Sequence, residues 1–409
     1  MGRETDTSDF LVIGACIMGV SVALEFMRSF SDCSILVLEK ENRPGLHASG
    51  RNSGVLHAGF YYTEDSMKAR FCRDGNEAMR RFIQEKGLPL NECGKLVVTR
   101  SEEELPQLEE LLRRGRINGV DLEAISTKEA EAIEPRVKTV ERAIWSPNTA
   151  TSNPGEVIAA MIEEAESLGI RFRPQMEYLQ KRGSQMITPD GPVEAGFVVN
   201  CAGAYADKVA RDFGFSEDYR ILPFKGLYLY SDEPAWSLKT NIYPVPDLRN
   251  PFLGVHFTVT TSGHAKIGPT ALPAFWREQY GGIKGFRPGE FATGFARLGS
   301  LFLNSGFDFA SLALSELKKC SRRELVRQSQ DLASGVDEKQ FKRWGPTGIR
   351  AQLMNLRTRK LEMDFILEGD MHSIHVLNAV SPAWTCAIPF ASYVCDRIET
   401  SVTPEHPSQ

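Results

Sequence analysis

Two uninterrupted apolar runs, residues 10–13 and 35–38, bracket a turn of small residues at 14–19 and a stretch at 20–30 with helical spacing. Strand, tight turn, helix, strand is the order of a βαβ unit, and the lack of polar alternation in both runs predicts parallel strands covered on both faces. From 42 to 62 the pattern gives way to Gly, Ser, Asn, His and Arg, the make-up of a ligand-facing loop behind a buried strand. Helical spacing returns over 67–85, a short strand is predicted over 94–99, and a charged amphipathic helix over 102–116. A turn-rich junction at 147–154 leads into a helical stretch at 155–167. Residues 197–200 read as another buried strand, which enters the small-residue turn Cys201-Ala202-Gly203-Ala204. Segments 221–230 and 242–257 are β-rich and punctuated by Pro223, Pro244, Pro246 and Pro251. Most of 287–337 is helical in pattern, with Lys318, Lys319, Arg322 and Arg323 expected on a solvated face. A last strand at 374–378 runs into the tight turn Ser381-Pro382-Ala383, and a helix follows to near residue 398.

Composition narrows the function classes. The chain has 409 residues, enough for roughly two to three domain-sized units, and its 42% hydrophobic and 25% charged content is ordinary globular usage. Lys plus Arg number 48 against 53 Asp plus Glu, a net charge of −5, which disfavours nucleic acid and points to a small-molecule partner. Eight cysteines without a CxxC pair read as reduced thiols in a reducing compartment, with no disulfide framework and no zinc site. The uncharged run 10–24 is too short to span a bilayer, and Glu4, Asp6 and Asp9 against Arg3 leave no basic flank for a leader. The expectation is an intracellular chain, cytoplasmic or mitochondrial, without a transmembrane segment, a peripheral membrane contact remaining open.

Within the first turn the string is Gly14-Ala15-Cys16-Ile17-Met18-Gly19, a GxGxxG pattern with Cys16 at the second glycine. Such a turn lets backbone N–H groups at a helix N-terminus approach a pyrophosphate. Glu39, twenty-five positions after Gly14, closes the second strand where a ribose hydroxyl would bind. An ordinary strand-to-helix turn packed by small residues would look similar; the flanking strand and helix, with Glu39, favour the nucleotide. His372 and His375, three apart on a strand, point to opposite faces and do not form a metal site.

The string HASGRNSGVLHAGFYY at 47–62, after that βαβ unit, resembles the FAD-dependent L-2-hydroxyglutarate dehydrogenase family of the D-amino acid oxidase-like superfamily. The resemblance continues through Cys93-Gly94-Lys95-Leu96-Val97, Pro223-Phe224-Lys225-Gly226, IYPVP (242–246), PFLGVHFT (251–258), GIRAQ (348–352) and Ser381-Pro382-Ala383 with Thr385, across nearly the whole chain. It implies an α/β fold: a Rossmann-like FAD-binding domain built from 1–85, 145–215 and 340–409, with an inserted α+β substrate domain from 86–144 and 216–339 containing a large mixed sheet. It implies FAD held by the first turn, Glu39, Lys40, the loop residues His47, Ser49, Arg51, Asn52, Ser53 and Gly54, the turn at Ala202 and Gly203, and Ser381, Pro382, Ala383, Trp384 and Thr385. The reaction implied is hydride transfer from C2 of a 2-hydroxy dicarboxylate, L-2-hydroxyglutarate, to the flavin N5, with a quinone or an electron-transfer protein as acceptor. His57 or His256 is the candidate base, Arg350 and Lys225 the candidate carboxylate partners, and Tyr243 a hydroxyl donor.

Three departures stand out. Cys16 adds a side chain where close approach is expected, Trp384 stands where the family usually has alanine, and Thr149-Ala150-Thr151-Ser152-Asn153 replaces a string that usually carries glycine and aspartate. They favour one alternative, a flavin-poor, non-catalytic binding module; within the enzyme class the nearest alternative is an amino acid or amine oxidase of the same superfamily, against which IYPVP and PFLGVHFT argue.

Overall fold

A computed structural model describes residues 5–402 apart from 31, 249–252, 284 and 305–308. Arg3 and Glu4, Pro251 with the opening of PFLGVHFT, and 403–409 therefore lie outside the described residues. The predicted βαβ unit is present as strand Asp6–Ile13, helix Ile17–Ser29 and strand Ile35–Leu38, the two strands pairing in parallel from Phe10↔Ile35 to Ile13↔Leu38. On its other side the first strand pairs in parallel with Gly191–Asn200, ending at Ile13↔Asn200. That pairing begins at Asp6↔Val193, which is why the strand expected at 197–200 starts earlier. Ser373–Val376 adds a further parallel strand, and an eight-stranded sheet results. Both faces are covered: Val12, Ile35 and Val37 pack into one cluster with helix Ile17–Ser29, Leu11, Ile13, Leu36 and Leu38 into another.

A second eight-stranded sheet has Lys95–Val98 and Asn241–Pro244 paired in parallel at its centre, with His256–Val259 and Ala265–Gly268 on one side and Arg142–Ser146 on the other. Side chains alternate across a strand, and here the alternation separates chemistry from packing. Leu96, Val98, Ile242, Phe257 and Val259 share an apolar cluster with Leu325 and Val326 of helix Arg322–Gln330. Lys95, Tyr243, His256, Thr258 and Lys266 occupy the alternate positions and are buried as well. A four-stranded sheet pairs Tyr219–Gly226 with Gly348–Asn355 along its whole length, Phe224 opposite Arg350, so it draws on both sets of chain segments.

Helix Met67–Glu85 packs against the C-terminal helix Ala383–Val402, close enough that a Cβ on Gly75 would lie 2.1 Å from the Thr385 carbonyl oxygen. The segment expected as one helix over 102–116 is a 3₁₀ turn, Glu102–Glu104, followed by Leu105–Ile117, because Pro106 fits only the first turn of an α-helix. Lys319 departs from the expected solvated patch: it is buried and donates to Glu316. All eight cysteines are free; Cys72, Cys201, Cys386 and Cys395 are buried and Cys320 is exposed. Among the described residues no helix is long and apolar enough to cross a membrane.

The crossing at Gly75 yields a stability prediction. Gly75→Ala forces a methyl group into backbone and should destabilise the protein by about 1–3 kcal/mol, read as a lower urea midpoint with an unchanged m-value.

Candidate active site

A cavity of about 590 Å³ runs from the first turn to the strand that carries Arg350. Its walls come from stretches far apart in the chain. At one end lie Gly14, Ala15, Cys16, Ile17 and Met18, with Glu39 beside them. Gly14 adopts φ +106°, and a Cβ there would stand 2.6 Å from the Cys201 carbonyl oxygen, so only glycine fits. Gly19, by contrast, lies outside the lining: its Cβ would meet the Gly14 oxygen at 2.1 Å, and it keeps the helix close to the turn. Glu39 is buried, its carboxylate accepting from Ala15 N at 3.2 Å and Glu41 N at 2.9 Å, and burial pushes its pKa upward despite those donors.

The polar loop forms the next wall. Ser49 Oγ accepts from Ile17 N at 2.8 Å, tying the loop to the start of the helix. Asn52 bonds the Ala48 and Ser49 carbonyls and accepts from Gly54 N at 2.8 Å. Arg51 Nε donates to Leu46 O at 2.6 Å, and its guanidinium lies 4.4 Å from the Tyr280 ring centroid. Ser53 lines the cavity and its carbonyl accepts from Lys266 Nζ at 3.0 Å; Gly54 sits behind, against Ser152. His47 bonds Glu41 at 2.9 Å and the Tyr280 hydroxyl on its other nitrogen, while Lys40 bridges Glu41 and Glu278. Glu41, His47 and Glu278 offer ligand atoms within 4.8 Å of one another, but the Lys40 ammonium already sits between the two carboxylates where a cation would bind.

Ala202 and Gly203, and Ser381, Pro382, Ala383 and Trp384, complete the lining. Thr385 lies behind it, buried, where its Oγ1 accepts from His57 N at 3.1 Å. Two of the three departures from the family pattern, Cys16 and Trp384, are built into the walls. Cys16 has φ −84° and ψ 173°, a conformation open to any residue, and its thiol donates to Cys201 O at 3.3 Å. Trp384 is buried in the core of the first sheet, its Nε1 donating to Ser152 Oγ at 3.3 Å.

Of the five residues expected to do chemistry, His57 and Arg350 line the cavity. His57 is buried, its Nδ1 has no hydrogen-bond partner, and burial with the nearby Lys95 and Arg350 charges pushes it down to about 3. His256 and Tyr243 lie outside the lining, stacked on each other with centroids 3.7 Å apart; His256 Nδ1 donates to Gly254 O at 3.0 Å, and burial drives the His256 pKa well down. Lys225 also lies outside it. It pairs with Ile349, one position from Arg350 and so on the opposite face of the strand pair, and partial burial lowers its pKa. His372 is exposed while His375 is buried against Asn200, so the two do not share a site.

Sequence reasoning missed Lys95, whose charge reaches both histidines, together with Tyr228, Glu278 and Tyr280 of the cavity wall. For Lys95 the signal was a lysine opening an otherwise apolar strand, KLVV. The walls fit FAD: a helix N-terminus and a glycine that admits no Cβ stand at one end, and a buried imidazole with an unpaired nitrogen at the other.

A model of the family of FAD dependent oxidoreductases matches residues 9–396. L-2-hydroxyglutarate dehydrogenase of Escherichia coli strain K12 is 32% identical over 409 residues, covering 96% of this chain and 93% of that protein. The human mitochondrial L-2-hydroxyglutarate dehydrogenase is 32% identical over 425 residues, covering 97% of this chain and 89% of that protein. In structure the chain is similar to FAD-bound L-α-glycerophosphate oxidase from Mycoplasma pneumoniae, with a TM-score of 0.77 at 18% identity over 97% of this chain and 95% of that one.

Two variants of the first turn should separate. Gly14→Ala meets backbone in a left-handed conformation and should lower both flavin content and thermal stability, by about 1–3 kcal/mol in folding. Cys16→Gly removes a side chain already turned onto the wall, so FAD affinity should stay within about fivefold. Flavin released on denaturation and FAD titration of the apo-protein measure both; a large gain in affinity for Cys16→Gly would place its Cβ against the pyrophosphate.

Proposed function

Because the chain belongs to the family of FAD-dependent oxidoreductases, we propose that it oxidises a small 2-hydroxy acid, L-2-hydroxyglutarate, to 2-oxoglutarate. The observation that carries this reading is His57 and Arg350 in the cavity lining with His256 and Lys95 close behind them; burial depresses both histidines, and the charges of Lys95 and Arg350 add to it. That end attracts an anionic substrate. The relatives at 32% identity, named for L-2-hydroxyglutarate, support the choice of acid, and their being dehydrogenases supports an acceptor other than oxygen, a quinone or an electron-transfer protein.

When bound, FAD supplies the two-electron oxidant for the C2–H bond of the substrate. The chain's own residues do the rest. Arg350 presents a planar guanidinium that suits a carboxylate bidentately and orients C2. His57 is the base that accepts the hydroxyl proton, because it lines the cavity, its Nδ1 is unbonded, and burial keeps the ring unprotonated. Its depressed pKa suits the empty site. An anion that neutralises Arg350 and Lys95 removes part of the depression, so the imidazole becomes a better proton acceptor when substrate arrives. His256, fixed by Gly254 and stacked on Tyr243, buttresses this region from behind. The binding-module alternative drew on Cys16 and Trp384, and both side chains are bonded into the walls.

L-2-hydroxyglutarate should bleach the bound flavin under anaerobic conditions. A flavin left oxidised by this acid but reduced by an amino acid would overturn the assignment. His57→Asn should slow flavin reduction by about 10²- to 10⁴-fold with FAD retained, and Arg350→Lys should chiefly raise KM. Since substrate raises the pKa of His57, the acid limb of kcat should lie at higher pH than that of kcat/KM, which stopped-flow pH profiles resolve.

A further inference from the structure

On the buried face of the second sheet Lys95 has neither a counter-ion nor a hydrogen-bond acceptor among the described residues, whereas Lys266 on the same face donates to the Ser53 carbonyl. Lys95 is 0% exposed, and its Nζ has no hydrogen-bond partner. Three rings enclose the ammonium, with centroids at 4.5 Å for Phe60, 4.6 Å for Tyr61 and 5.0 Å for Tyr243. Ring faces attract a cation, yet they replace only part of what water or a counter-ion supplies. Loss of the proton would not satisfy the site either, because a neutral amine still carries donors.

The surroundings share the deficit. The Tyr61 and Tyr243 hydroxyls and His57 Nδ1 are buried without partners. Two phenols and an amine or ammonium, buried close together without hydrogen-bond partners, match a ligand that is anionic and accepts several hydrogen bonds. A carboxylate has that chemistry. An aliphatic end group would leave every one of these atoms orphaned.

We propose that Lys95, with the Tyr61 and Tyr243 hydroxyls, receives the distal carboxylate of the substrate while Arg350 takes the carboxylate beside the reacting carbon, so that the two cations select dicarboxylic over monocarboxylic 2-hydroxy acids. The assignment rests on the reading of the chain as a 2-hydroxy acid oxidoreductase. The lining of the cavity includes His57 and Arg350 but not Lys95. Seating the distal carboxylate therefore requires the His57 ring to turn, and its free Nδ1 leaves that movement without a hydrogen bond to break on that side. A site that pairs an otherwise stranded charge discriminates strongly, since the wrong ligand leaves the charge stranded still.

Burial holds Lys95 down to about 7 in the free protein. The other titratable groups around it are Tyr61, Tyr243, His57, His256, Arg350 and Cys72. Above neutral pH the two histidines are already uncharged and the two tyrosines still hold their protons. Deprotonation of Lys95 then removes the charge that a second carboxylate needs.

The test uses the FAD-loaded protein. Glutarate, an unreactive dicarboxylate, and pentanoate, its monocarboxylic counterpart, are titrated by calorimetry between roughly pH 6 and 9. L-2-hydroxyglutarate and L-2-hydroxypentanoate are compared as reductants of the flavin. Glutarate should weaken by about tenfold per pH unit above neutrality, with pentanoate flat. Lys95→Met should raise KM for L-2-hydroxyglutarate by about 10- to 150-fold, change that for L-2-hydroxypentanoate by far less, and abolish the pH dependence of glutarate; Tyr61→Phe should shift the same preference by less. An unchanged preference in Lys95→Met, or a pH-independent glutarate affinity in the wild type, overturns the assignment, and the wild-type titration decides alone if the variant does not fold. A wild-type flavin that no 2-hydroxy acid reduces would sink the functional reading instead, and glutarate binding that weakens above neutrality would still mark Lys95 as an anion site.

Discussion

Backbone meets backbone at Gly14, and the site depends on that contact. Cys201 N donates to Ile13 O at 2.9 Å and Gly14 N donates to Leu38 O at 2.9 Å, so three strands from separate parts of the chain converge where the first turn begins. There is no room for a side chain: the Cys201 carbonyl fills the place of a Cβ on Gly14, and the Gly14 carbonyl that of one on Gly19. The closeness aims the helix N-terminus, Glu39 and the turn at Ala202 into one cavity. A phosphate site of this kind relies on directed N–H groups and a helix dipole, both of which lose their effect within a few ångströms.

A second constraint governs the far end. The sheet that carries Lys95, Tyr243 and His256 hides both of its faces, and alternation keeps one of them apolar while the other mixes these polar groups with Val97 and Ile144. A polar face in a dry interior opposes stability unless its groups find partners. Several here find none within the chain, which is the condition expected of surfaces whose partners are ligands. Tight burial also lowers the basicity of His57 and Lys95 without any neighbouring acid, so desolvation dominates the electrostatics of this end.

The local parts of this architecture were legible in the sequence. The βαβ unit, the helix Met67–Glu85 and the last strand and helix follow from spacing within a single window, and each lies where periodicity put it to within a few residues. What depends on direction was not legible. Lys225 and Arg350 both looked like carboxylate partners, but whether a strand residue faces the cavity depends on register, and Lys225 pairs one position away from Arg350. Cys16 and Trp384 looked like intrusions when judged by bulk alone; the geometry that matters is that the thiol and the indole N–H point into the walls. Lys95 was hidden by the opposite error, since a lysine at the end of an apolar run ordinarily reaches water, and here the rings of Phe60, Tyr61 and Tyr243 close over it. The order of strands in the second sheet, assembled from segments over two hundred residues apart, leaves no trace in local pattern.

The walls of the cavity are contributed by residues near 13–57, 176–212, 226–228, 269–287 and 348–384, so nothing short of the assembled fold binds flavin. A ligand that binds only the folded chain adds to its stability in proportion to the logarithm of its concentration, about 2.7 kcal/mol at a hundred times the dissociation constant. Few amino-acid substitutions stabilise a protein so much. Vitamin supply thereby becomes a determinant of how long each molecule survives proteolysis, and riboflavin shortage would reduce the amount of this protein in a cell as well as the activity of what remains.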